Sequence, residues 1–523
     1  MKPSTELHDL IKSLSKSEKR YFKLISSLQS GDKNYIRLFD YLEQQEVYDE
    51  EAVKKEFKKE IFIRHLPSEK NHLYSLILKS LRSFHADKSA ASQLQEQLRN
   101  IELLYNKALY KECNKIIKKA KKLAYDYEKF YYLLDIINWE KMLVEEEYQH
   151  GVFEKDMIKM VEEESVCLEK LRNLAEYQIL YSKINYAFRK GGFARNNEDQ
   201  KMVDEIANHY LIKGKNTAQS KKAATACYFI KGLCALTERN FTECEVNFKK
   251  VIAIFESNPP VMEELPKRYL RALSNLLTVY LNTGKYEKYI ETLNAIKVLK
   301  EHAMFSSTDV QVKLTTSASI AELVLYQTIS DMEKGQRVVD EIIKSIDSFK
   351  EKINKEEEVT IYYHIAQFYF MCADYKKALF WINKILNDNE GDLRQDIFIF
   401  SRLFNLIIHY ELGNYDLLDY IIKSTSRFVK KKQKFYKFED AFLQGMKQFV
   451  KPKKAVSAQE IFTSMKKQID KVLEDSFEQA ALEYFDFSSW LESKIQHLSF
   501  AEVQRRKLKG LHISFESDYS INR

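Results

Sequence analysis

Eight short polar turns recur through this chain. Each is followed two residues after its small or turn-forming position by a ring or a methionine, and then by a helix-forming stretch. The turn hydrophobes are Tyr110, Phe153, Phe193, Phe241, Tyr286, Met332, Tyr375 and Tyr415, spaced by 43, 40, 48, 45, 46, 43 and 40 residues. A period of this size restricts the fold. Each unit holds two helices and a turn, buries no core alone, and must stack on neighbours of the same kind. The stretch Ser274–Leu293 shows the logic: a helix, a turn at Asn282–Lys285, and a second helix. Gly284 stands where the first helix must end, because glycine enters the left-handed conformation without a Cβ penalty. Tyr286 is then placed to drop its ring back onto the first helix.

Composition supports a helical reading. Only 12 Gly and 6 Pro occur in 523 residues, too few for the turns of a β protein. The six cysteines form no C-x-x-C pair, which points to a reducing, cytoplasmic compartment. Residues Met1–Asp9 lack the apolar core of a signal peptide. No run of 18 apolar residues exists, so no membrane insertion is expected.

Three regions are expected. Residues 1–90 form an N-terminal helical module, with a capping box at Ser15–Glu18, turn residues Gly31-Asp32, and helix starts at Asp49 and Pro67-Ser68. The polar stretch Asp87–Gln97 closes that module. Residues 91–430 carry about eight helix pairs. Residues 431–523 form a C-terminal helical cap with a basic segment. Pro452 is expected to break a helix, Ala458–Phe477 and Phe477–Leu498 to form two more, and Ser514–Arg523 to fray.

The turns Asn282-Thr283-Gly284-Lys285-Tyr286, Ala373-Asp374-Tyr375-Lys376-Lys377-Ala378 and Leu412-Gly413-Asn414-Tyr415 resemble those of the tetratricopeptide-like helical repeat superfamily. Tyr280 and Tyr369 match its first-helix aromatic. Gly232, Ala366 and Ala378 match its small-residue slots, and Cys113 and Cys244 share the slot of Ala378. The resemblance covers roughly residues 98–430. It implies an all-α, right-handed superhelical solenoid of antiparallel helix pairs. The period exceeds the 34 residues of that family, so helices or connections are longer here.

The resemblance also implies that first helices line a concave groove. Residues twelve, eight and four before a turn hydrophobe then share one face. This selects Tyr181, Asn185 and Arg189; Ser274, Thr278 and Asn282; and Tyr363, Gln367 and Met371 as a partner groove. The family's clamp for a peptide C-terminal carboxylate is not reproduced, since Tyr181 and Ile230 replace two of its residues.

No catalytic or phosphate-loop motif is found, so no enzyme activity, metal or cofactor is expected. Cys227, Cys234 and Cys244 read as small fillers at helix contacts rather than metal ligands. His364 and His409 read as packed or groove-facing residues. Between Arg427 and Lys454 stand ten basic residues and two acids. Lys430, Lys431, Lys432, Lys434 and Lys437 form a candidate patch for an acidic partner, interleaved with Phe428, Phe435, Tyr436, Phe438, Phe442 and Phe449. A solvated helix with rings inward is favoured there over a nucleic-acid surface.

The function expected is a non-catalytic scaffold or adaptor that binds a protein or peptide along the groove. The alternative is a regulator whose N-terminal module binds nucleic acid, with Lys70, Lys79 and Arg82 facing phosphates, while the repeats sense a peptide.

Overall fold

The structure, a computed structural model, describes residues 4–27, 34–146, 153–349, 352–388, 394–432, 435–450 and 457–510. Gly31-Asp32, Lys434, Pro452 and Ser514–Arg523 lie outside them. The described residues are helical and contain no strand. The chain divides into two compact units, residues 1–169 and 170–523.

The first unit opens with α1 (Glu6–Ser13), α2 (Lys16–Ser27), α3 (Asn34–Gln44), α4 (Glu50–Glu56) and α5 (Leu66–Phe84). They enclose a core of Leu7, Ile11, Phe22, Phe39, Leu73 and Ile77. The expected capping box is present: the Ser15 N–H donates to Glu18 and the Glu18 N–H to Ser15 Oγ (2.7 and 3.3 Å). Asp49 caps α4 through the Ala52 N–H. The stretch expected to close the module instead begins α6 (Ala90–Tyr105), capped by Ser89. Next come α7 (Tyr110–Asp126), α8 (Phe130–Glu146) and α9 (Phe153–Gly191). The division between units falls inside α9.

The second unit continues with α10 (Asn197–Ala207), α11 (Tyr210–Lys213), α12 (Lys221–Thr237), α13 (Phe241–Glu256), α14 (Pro259–Glu264), α15 (Pro266–Asn282) and α16 (Tyr286–Val298). Then follow α17 (Thr308–Ile329), α18 (Met332–Phe349), α19 (Lys355–Met371), α20 (Tyr375–Leu386), α21 (Gln395–Glu411) and α22 (Tyr415–Lys431). The last helices are α23 (Lys437–Val450), α24 (Ala458–Val472), α25 (Phe487–Gln496) and α26 (Phe500–Gly510). Consecutive helices pack in pairs, and α15, α17, α19 and α21 each also pack on the next of that row. One core runs from Tyr177 to Leu491, continuing past residue 430 through Phe438, Phe442 and Trp490.

Seven of the eight turn hydrophobes are the first residue of a helix: Tyr110, Phe153, Phe241, Tyr286, Met332, Tyr375 and Tyr415. Six of these turns share a backbone. The residue two before the hydrophobe is left-handed: Ala108, Arg239, Gly284, Ser330, Ala373 and Gly413, with φ between 54° and 73°. The next N–H donates to the carbonyl five residues back, as Lys285 does to Tyr280 (2.8 Å), Asp374 to Tyr369 (2.9 Å) and Asn414 to His409 (3.0 Å). This Schellman closure satisfies carbonyls that a helix end would otherwise leave open. Asn240, Asp331 and Asp374 then cap the helix that follows.

Phe193 departs from the expectation. It starts no helix: α9 runs 39 residues from Phe153 and ends at Gly191, and the next helix, α10, begins only at Asn197, where the Asn196 side chain caps it. The small-residue slots are filled as expected. A Cβ on Gly232 would lie 2.7 Å from the Phe248 ring, Ala366 and Ala378 are fully buried, and Cys244 Sγ lies 3.5 Å from the Gly232 carbonyl. Phe477–Leu498 is not one helix. A 3-10 turn at Glu478–Glu483 gives way to α25, whose cap is Asp486.

Candidate functional site

The face formed by α15, α17 and α19 encloses a cavity of about 350 Å3. Five of the nine expected groove residues line it: Ser274, Thr278 and Asn282 from α15, and Tyr363 and Gln367 from α19. Ser317, Ile320, Ala321 and Val324 of α17 form its floor. Leu277 and Leu281 of α15, Tyr289 of α16, and Thr360 and His364 of α19 also line it, as do Phe193, Arg394 and Ile397 with Glu483 and Tyr484 from the segment before α25.

That segment occupies part of the expected groove. Tyr363 and Gln367 already hold a polypeptide, and it belongs to the same chain. The Tyr363 hydroxyl donates to the Tyr484 carbonyl (3.2 Å), and so does the Gln367 side-chain amide. The Tyr484 ring stacks on Phe400 with centroids 4.2 Å apart, and its hydroxyl donates to Asp396 (2.8 Å). Phe485 packs on Phe404 and Phe370 (4.7 and 5.5 Å). Glu483 is gripped by Arg239 (2.9 Å). Behind the segment, Arg195 joins Glu439 and Glu478 (3.0 Å to the latter) and lies against the Tyr436 ring. All three of these charged side chains are buried. Such a set is costly to break, since removing one member leaves an uncompensated buried charge.

The cavity lining is mainly apolar, set with a few polar groups and no strong net charge. Arg394 is neutralised by Asp396 (2.9 Å) and also reaches the Thr360 hydroxyl (3.3 Å). Burial raises the Glu483 carboxyl above its ordinary range, opposed by Arg239 and a hydrogen bond from Asn282. His364 faces the cavity. Burial, helped by the Arg394 charge, lowers it to about 4, so the imidazole is neutral. Its Nδ1 has no hydrogen-bond partner. Hydroxyls, amides and a neutral imidazole are suited to hydrogen bonding with a peptide or similarly polar guest.

The other groove residues lie elsewhere. Tyr181 is half-buried under Arg268 and accepts from Arg271 (3.1 Å). Asn185 donates to the Tyr181 carbonyl (2.7 Å). Arg189 pairs with Glu356 at the start of α19 (3.0 Å). Met371 ends α19, half-buried and outside the cavity lining. The sequence reasoning missed Arg394, Glu483 and Tyr484, which no turn or period marks.

In the basic segment Lys430 and Lys431 are exposed, Lys432 is half-buried, and Lys437 pairs with Asp475 (2.8 Å). The Phe438 and Phe442 rings are fully buried, so neither can stack on a base. In the N-terminal module Lys70 is turned to Tyr48, Glu50 and the Ser4 carbonyl, while Lys79 and Arg82 are exposed. Cys227, Cys234 and Cys244 are buried free thiols; burial pushes Cys234 and Cys244 up to about 12. Among the described residues no cluster of three His, Cys, Asp or Glu is arranged to hold a metal. No helix of the described residues is long and apolar enough to cross a membrane. His409 meets Asn414 (3.1 Å) inside its own turn.

No protein-family model matches this chain, and no curated protein matches it.

Proposed function

We propose that this chain is a non-catalytic binding protein, a scaffold or adaptor built from tetratricopeptide-like helix pairs. It takes a peptide segment of another protein in the cavity between α15, α17 and α19. One observation supports this above the others. The same wall already holds polypeptide by its main chain: Tyr363 and Gln367 both donate to the Tyr484 carbonyl, and the next side chain, Phe485, is seated among rings. Main-chain hydrogen bonds with a pocket for an adjacent side chain are a general way to bind extended peptides. The open cavity beside it offers the same kinds of group from α15 and α19.

The test is selection of peptides from a random displayed library on the purified protein, followed by direct titration. Thr278→Trp fills the cavity and replaces none of the side chains that hold Tyr484. Selected peptides are expected to lose binding to this variant while its helicity and melting temperature stay near wild type. Equal binding to the variant, or no enrichment at all, would overturn the reading.

A further inference from the structure

Three basic residues, Lys267, Arg268 and Arg271, stand in the opening turns of α15, which has no acid in its first turn. A helix N-terminus carries partial positive charge and favours acids. The arrangement is locally unfavourable, and such conflicts are expected at functional positions. Lys267 finds Asp309. Arg268 and Arg271 make no ion pair among the described residues. Both converge instead on Tyr181 of α9: the Arg268 guanidinium lies 4.8 Å from the ring centroid, and Arg271 donates to the hydroxyl (3.1 Å). Arg268 is further fixed by the Thr225 hydroxyl (3.1 Å) and, at 3.4 Å, the Lys222 carbonyl. Burial above all, and then the Arg271 charge, disfavour its charged form, opposed by Tyr181.

Two guanidiniums held close together, oriented by neutral groups and left without a carboxylate, match the requirement of an oxyanion: planar forks of N–H donors and uncompensated charge. Arg271 stands three residues before Ser274, so their Cβ atoms are about 5–6 Å apart on one helix face. Ser274 is itself part of the cavity wall.

We propose that Arg268 and Arg271, braced by Tyr181, form an oxyanion-binding site that anchors a phosphoryl or carboxylate group of the peptide occupying the adjacent cavity. The peptide identity of the guest rests on the reading above. The anion site itself does not.

The test uses the full chain and inorganic phosphate, followed by isothermal titration at constant ionic strength with chloride as the reference. Phosphate is expected to bind wild type. Arg271→Gln is expected to weaken it by about tenfold or more, the loss of one charge-assisted hydrogen-bonding group. Arg271→Lys, which keeps the charge and loses the fork, should fall between. Arg271 is the first choice because Arg268 is the more buried and its loss threatens folding. No phosphate binding by wild type, or equal binding by Arg271→Gln, overturns the proposal. Thr278→Trp separates the two readings: it should abolish peptide binding and leave phosphate binding intact. Acidic peptides bearing phosphoserine, a free C-terminus or an amidated C-terminus then tell a phosphoryl source from a carboxylate one.

Discussion

The row of helices α15 to α21 presents two regions built from similar parts. Toward α21 the wall is occupied: the Tyr484 carbonyl takes the donors of Tyr363 and Gln367, its hydroxyl meets Asp396, and Phe485 fills the space among the rings. Toward α15 the wall is open, with Ser274, Thr278, Asn282 and His364 lining a cavity. The helices differ little in kind. What differs is whether a distant part of the chain reaches them. The filled region has become core and contributes stability; the open one keeps polar groups on a cavity that no other described part of the chain fills.

Substitutions in the two regions should therefore fail in different ways. The largest effect is expected at Gly192, whose φ is 72° and where a Cβ would lie 2.2 Å from the Tyr484 hydroxyl and 2.9 Å from Asp396. Gly192→Ala should expel Tyr484 and cost about 2–5 kcal/mol, combining left-handed strain with overpacking. Urea unfolding measures the loss, and limited proteolysis should show new cleavage near residues 478–486. If cleavage and stability stay at wild-type values, the segment is not part of the core.

Tyr484→Phe is gentler. It removes one hydrogen bond to a buried carboxylate, which keeps Arg394, and should cost about 2 kcal/mol. A change under half that would mean the remaining ties, among them the Phe400 stacking and the donors of Tyr363 and Gln367, hold the segment without the hydroxyl.

The open region should show itself in pH dependence. His364 is held at about 4, below its ordinary 6.5, by burial and by Arg394. A base depressed in the folded state contributes stability that is full above its ordinary value and is lost as pH falls toward the folded one. Because His364 borders a cavity open to water, the loss between pH 7 and 4.5 should be about 1–2 kcal/mol. His364→Gln should flatten that part of the stability profile. Identical profiles for the two proteins would place His364 outside the linkage.

Much of the helix pairing was legible in the sequence, and the reasons are local. A turn must end one helix and start another, and seven hydrophobes marked those starts. The exception is Phe193: the turn is there, but the helix after it begins four residues later, where Asn196 supplies the cap. The left-handed residues were legible only at Gly284 and Gly413. At Ala108, Arg239, Ser330 and Ala373 the surrounding packing imposes the same backbone on residues with a Cβ.

The lining of the cavity was legible in part. Four-residue steps found Ser274, Thr278 and Asn282, but each step overshoots a full helical turn by about 40°. By the fourth step the stripe has left the face, reaching Leu270, which is fully buried. A three-residue step returns to it, at Arg271, which the rule passed over. Glu483 and Tyr484 were beyond any local rule, because their partners are more than 80 residues away, as with Tyr484 and Asp396, 88 apart.

The buried ties of Arg195 to Glu439 and to Glu478 join residues 244 and 283 positions apart. The helix pairs need only neighbours and can assemble as the chain emerges from a ribosome; these ties cannot form until Glu439 and Glu478 have been made. Loop closure of that length must be met before the contacts reward it, so their formation belongs late in folding. During synthesis the wall that later holds Tyr484 is complete while its own occupant is still missing. For that interval the apolar surface around Phe370, Phe400 and Phe404 stands uncovered, and a nascent chain stalled before residue 478 would be prone to aggregate or to need a chaperone.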